Sequence, residues 1–348
     1  MRLLRLVAML GFAGLCGCAP LRYYAHVGRG QLSLLAQREP IARAVDDARL
    51  DPALRERLRR AQAARRFASE HLDLPANRSY TSFVQLDRPF VTWSVFATPE
   101  FSVEPITHCF PIAGCVAYRG YFDKALAERE AQRLAAQGDD TALRGVAAFS
   151  TLGWFADPIV SSMLRGDDDA LDGVIFHELA HQKVYVRDDT AFNESYASFV
   201  ALQGLREWHA ANGLPAPVST DEHDRAFTRL VLDLRERLRA LYGTNLAQAA
   251  LRERKCEEID AFRTRYARLR DMEWGGDTGY DAFVAAPINN ASLVPFGLYD
   301  RWVAAFAALF AQGGADWPAF HAQVRVLGRL PAVQRERRLA ELSAARSQ

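Results

Sequence analysis

The 348-residue chain predicts an α+β fold, mostly helical with a small antiparallel or mixed sheet. Two patterns carry this. Between Tyr80 and Phe122, the residues Val84, Phe90, Val91, Trp93, Val95, Phe96, Val103, Ile106 and Val116 are β-branched or aromatic, and Pro89, Pro99, Pro105 and Pro111 cut them into short strands. From Asp169 onward, apolar residues recur at helical spacing with few breaks.

The elements follow in order. Arg2 and Arg5 precede the apolar run Leu6 to Leu15, the charge and length of an export signal and too short to span a bilayer as a stable helix. Leu15-Cys16-Gly17-Cys18 closes it and resembles the bacterial lipobox, so Cys18 is the expected site of lipidation and the lipid bilayer an expected partner. Ala19 follows, where lipoproteins kept on the inner membrane often carry Asp; an outer-membrane anchor facing the periplasm is expected. Tyr23 to Leu72 reads as helix, broken at Pro40 and at Asp51-Pro52, and its arginine-rich stretch Leu54 to Phe67 reads as a solvated face. After the strands come a helix from Asp123 to Gln137, a strand-like run from Thr141 to Phe149, and a short helix opened by Asp157-Pro158. Helices are expected over Leu171 to Val186, Ala191 to Ala211, Thr220 to Tyr242, Ala247 to Met272 and Pro295 to Gln312, followed by a charged tail.

This suggests a signal peptide over 1–18, a helical extension over 19–75 and one catalytic domain over 76–348. Composition excludes other classes. The chain is 49% hydrophobic and 24% charged, ordinary for a globular protein, and a net charge of +1 offers no field for nucleic acid. In an oxidising compartment Cys109 and Cys115 are spaced to close a small loop as a disulfide, leaving Cys256 as a buried free thiol.

The chemistry lies in His177-Glu178-Leu179-Ala180-His181, inside an apolar helical stretch. Histidines at i and i+4 share one helix face, so both imidazoles reach a single tetrahedral zinc ion at about 2.0–2.1 Å. Glu178 stands beside them, free to take a proton from water activated by the metal. A third protein ligand is required, and Glu194 on the next helix is the best candidate; Asp188 and Asp189 are rivals, though their loop position suits them to capping. An oxyanion donor is also needed: Tyr299 is the first choice, with His223 and Arg119 in reserve. Gly145 to Trp154 is placed to bind a peptide along its edge. Asn289 and Asn290 suit a cap, and the isolated His71, His108 and His209 receive no role.

The run Phe176 to Ser195, with Cys109-Phe110-Pro111-Ile112-Ala113-Gly114-Cys115, Tyr118-Arg119-Gly120-Tyr121-Phe122 and Asn289-Asn290-Ala291, resembles a family of bacterial putative aminopeptidases, mostly lipoproteins. The resemblance implies a zincin-like zinc peptidase of the glutamate type acting on peptide or protein substrates. The Gly-x-Met-Glu-Asn motif by which well-known zinc aminopeptidases hold a substrate's free amine does not occur in this chain. Endopeptidase action and a non-catalytic envelope lipoprotein built on the same scaffold are the alternatives.

Overall fold

A computed structural model describes residues 21–110, 114–217, 221–296 and 301–345. The expected lipidation site Cys18 and the expected oxyanion donor Tyr299 lie outside them. Among the described residues no helix is long and apolar enough to cross a membrane.

The fold is α+β, rich in helix. Helix α1 covers residues 21–36. After it come β1 (Glu39–Pro40), α2 (Ile41–Ala44), α3 (Pro52–Glu70), β2 (Ser82–Val84), β3 (Thr92–Pro99), β4 (His108–Phe110), β5 (Gly114–Val116), β6 (Tyr118–Tyr121), α4 (Lys124–Ala135), β7 (Asp139–Val146) and β8 (Ile159–Val160). A 3-10 turn, Ser161–Arg165, leads into α5 (Asp168–Lys183), α6 (Thr190–Ala211), α7 (Asp221–Tyr242), α8 (Gln248–Met272), α9 (Asp281–Ala285), α10 (Asn290–Leu293), α11 (Val303–Gln312), α12 (Trp317–Gly328) and α13 (Ala332–Ala345).

The main sheet is antiparallel, in the order β6-β3-β7, which leaves β7 at an edge. Central β3 is buried on both faces because its side chains alternate: Trp93, Val95 and Ala97 pack with Ala127 and Leu134 of α4, while Phe96 packs with Ala291 and Val294 on the other side. A second sheet, β1-β2-β8, mixes antiparallel and parallel pairing, and β4 with β5 forms a hairpin in which Cys109 faces Cys115 and the two are disulfide-bonded. The largest core joins α3, α5, α6, α11, α12 and α13 to the second sheet. A smaller core lies between α7 and α8, whose Phe227, Val231, Leu234 and Leu238 meet Ile259, Phe262 and Tyr266.

Several expectations need correction. The short helix expected from Asp157-Pro158 is a 3-10 helix that begins only at Ser161, because Ile159 and Val160 are first captured by parallel pairing with Phe83 and Val84. The strand expected to Phe149 stops at Val146, where its pairing with Thr92 ends. The helix expected from Pro295 starts at Val303. The charged tail is two amphipathic helices whose Trp317, Phe320, Val324, Leu327, Leu339 and Leu342 belong to the main core. Nor is the arginine-rich stretch merely a solvated face. Arg57 and Arg60 pair with Asp168, Asp169 and Asp172 at the start of α5, and buried Arg65 donates to the carbonyls of Pro75, Asn77 and Ser79. Cys256 is exposed, since Lys255, Ile259, Phe262 and Tyr266 define the inward face of α8.

Candidate metal centre

Helix α5 starts on a firm cap: the Asp167 carboxylate accepts from the N–H of Ala170 at 2.7 Å, and Asp168 and Asp169 in the first turn complement the helix dipole. Its burial is nearly all round, with Leu171, Ile175, Phe176, Leu179 and Ala180 in the core. His177 and His181, one turn apart, lie where this helix meets α6, and His181 is buried.

The connection between the helices decides where Glu194 falls. Asp189 caps α6 through the N–H of Phe192 at 3.0 Å and pairs with the buried Arg335 of α13 at 2.6 Å. Buried Asn193 accepts from the N–H of Val186 and donates to its carbonyl, both at 2.7 Å, which fixes the first turn of α6 against the connection. Asp188 accepts from the N–H of Cys115 at 2.7 Å, so it is engaged by the disulfide hairpin. Both rival aspartates are thus committed elsewhere, and the next residue after Asn193 points back at α5.

The Nε2 atoms of His177 and His181 are 3.1 Å apart, and Glu194 Oε2 lies 3.2 Å from the first and 3.6 Å from the second. Ligand atoms held tetrahedrally at about 2.0–2.1 Å from a zinc ion are separated by about 3.3–3.4 Å. The triangle has the size of three corners of such a site, and these residues would hold the cation. Burial pushes the Glu194 carboxyl up, but the charges and hydrogen bonds of His181 and His177 outweigh it and hold it well below the usual carboxylate range. Burial likewise lowers His181, and the Glu194 carboxylate more than reverses this. Among the described residues the buried Nδ1 of His181 has no hydrogen-bond partner.

Glu178 is half-buried and follows His177 directly on α5. Three residues to which the sequence assigns no catalytic role interact electrostatically with it. Tyr80, fully buried, is held in the left-handed region at φ 62 by its own N–H donating to the Asp157 carbonyl at 2.6 Å and its carbonyl accepting from Gln62 at 2.7 Å. Burial and the neighbouring carboxylates of Glu178 and Asp157 push its phenol up; its hydroxyl sits beside Ser150 without a well-formed hydrogen bond. Asp157 is pushed up to about 6 by burial, against the hydrogen bonds of Thr151 and with help from Glu178. Tyr118 on β6, paired opposite Phe96 of β3, is raised by burial and then by the charges of Glu194 and Glu178. Tyr118 stood within one of the motifs quoted above; Tyr80 and Asp157 carry no comparable local signal.

The reserve donors are occupied. Arg119 lies over the Tyr23 ring at 3.9 Å and pairs with Glu130, and His223 pairs with Asp277 at 2.9 Å while stacking on Trp274. Asn289 forms a capping box with Ser292, and buried Asn290 accepts from the Tyr242 hydroxyl and donates to the Glu100 carbonyl, each at 2.9 Å. These asparagines brace α10 between the sheet and α7.

Fold and site together define a helix-rich α+β protein with a three-residue cluster suited to one divalent cation. The family model described as "putative aminopeptidase" matches residues 22–339, and the chain belongs to that family. No curated protein and no solved structure matches it.

Proposed function

We propose that the protein is a zinc-dependent peptidase, in which His177, His181 and Glu194 hold the ion and Glu178 is the general base. What carries this reading is the convergence of two Nε2 atoms and one carboxylate oxygen at 3.1, 3.2 and 3.6 Å, with a further carboxylate adjoining them. Membership of the putative aminopeptidase family supports peptide-bond hydrolysis as the reaction. A bound zinc ion supplies Lewis acidity, polarising a carbonyl and bringing the pKa of water toward about 7. Glu178 takes the proton from the attacking water and returns it to the departing amine. Tyr118, whose phenol feels the charges of both Glu194 and Glu178, is the donor we assign to the developing oxyanion. Edge strand β7 offers main-chain groups along which a peptide chain would lie.

The proposal includes release of residues from peptide N-termini, and attachment to the periplasmic face of the outer membrane through acylated Cys18. The Glu178→Gln protein should retain about one zinc and lose hydrolysis of a mixed peptide library; full hydrolysis by the zinc-loaded variant removes Glu178 from its role. Product masses from the same library distinguish removal of terminal residues from internal cleavage.

A further inference from the structure

The loop joining β7 to β8 carries two adjacent aromatic side chains in solvent: Trp154 is 67% and Phe155 49% exposed. Folding ordinarily removes such surface from water, and here the backbone around it is fixed. Thr151 donates to the buried Asp157 carboxylate through its N–H at 2.8 Å and its hydroxyl at 2.9 Å, and its hydroxyl oxygen accepts from the N–H of Phe155 at 3.0 Å. Arg38 holds the carbonyl of Ala156 at 2.9 Å. Leu152 and Gly153 turn the chain at φ 54 and 81, and Gly153 approaches Gln182 so closely that a Cβ there would lie 3.3 Å from its Oε1.

Gln182 fixes where this platform stands. It lies four residues after Glu178, hence on the same face of α5, and its Oε1 accepts from Asn77 at 2.7 Å. The aromatic pair is therefore presented at the Glu178 side of the metal cluster, at the end of the chain segment that leaves edge strand β7. A rigid aromatic surface beside a reacting centre binds an apolar group without paying to order itself.

We infer that Trp154 and Phe155 form a substrate subsite for a bulky apolar side chain, so that the preferred substrates are peptides with Phe or Leu near the cleaved bond; this rests on the peptidase reading. The probe is a set of pentapeptides carrying Phe, Leu, Gly or Asp at each position in turn, tested for hydrolysis and, with Glu178→Gln protein, for equilibrium binding. Apolar contacts of this kind discriminate by roughly 10–200-fold. Phe or Leu should be favoured over Gly at one position by about tenfold or more, and Trp154→Ala with Phe155→Ala should remove most of that ratio, while Trp154→Phe keeps most of it. An unchanged Phe-to-Gly ratio in the double variant, in both binding and hydrolysis, overturns the subsite. So does an unchanged ratio accompanied by lost binding to vesicles of phosphatidylethanolamine and phosphatidylglycerol, which would make the pair a membrane contact. If no peptide is cleaved yet Phe peptides bind tighter than Gly peptides only when both aromatics are present, the peptidase reading fails and the subsite stands.

Discussion

Glu194 reaches the two imidazoles because Asn193, its neighbour in sequence, is tied by two hydrogen bonds to Val186 in the connection from α5. The choice among Glu194, Asp188 and Asp189 thus depends on which carboxylates are already used as a cap or as an acceptor for the hairpin. Tyr118 presents a related case: its motif marked it, but its electrostatic coupling to Glu194 and Glu178 arises only when β6, paired with β3, and helices α5 and α6 are assembled in one fold. Tyr118→Phe keeps the ring and removes only the hydroxyl. It should lower kcat by about 10²–10³ with little change in KM, the loss seen when one oxyanion donor is deleted. Steady-state kinetics with zinc content checked would detect this, and an unchanged kcat would return the role to another residue.

At the scale of elements, the segment read as a charged tail explains most about how α6 is held. Fully buried His321 of α12 donates from Nε2 to the Leu72 carbonyl at 2.9 Å and accepts at Nδ1 from the Tyr196 hydroxyl of α6 at 2.9 Å; the carbonyl has no proton to give, which fixes the tautomer. Burial pushes this imidazole down to about 4, the Leu72 carbonyl and Asp73 opposing and Lys183 and Arg325 assisting. The unfolded chain therefore binds the proton first. The stabilisation from neutral His321 is complete above about 6.5, declines as pH falls toward 4 and is gone below, and amounts to about 3 kcal/mol at neutral pH. Because buried Asp157 and Asp172 are both pushed up to about 6 and bias the total curve the other way, the comparison must be a difference. Urea unfolding of the native sequence and of His321→Gln should show a gap that narrows between pH 6.5 and 4; a gap constant over that range contradicts the neutral buried imidazole.

For the whole molecule, the cluster bridges α5 and α6, the two helices at the centre of the largest core. A cation bound there ties them in the folded state alone, and ligand at a hundred times its Kd adds about 2.7 kcal/mol to stability. Zinc should therefore raise the thermal midpoint of the chelator-treated protein, and His177→Ala should abolish the rise. An equal rise in that variant would place the metal elsewhere.

The helix-rich α+β class, the paired histidines with their intervening glutamate, and the candidacy of Glu194 were legible in the amino-acid order, because helical periodicity and i, i+4 spacing are local properties. The path after Val146, the burial of Arg65 and the inclusion of α12 and α13 in the core were not, since each depends on a partner distant in the chain: Thr92 for the strand end, the carbonyls of residues 75–79 for the arginine, α6 and α11 for the last helices. Order along the chain marked which groups are candidates for the chemistry. Tertiary packing alone decided that Tyr80, Tyr118 and Asp157 interact electrostatically with Glu178, because burial and electrostatic neighbourhood are properties of the assembled core and not of any segment within it.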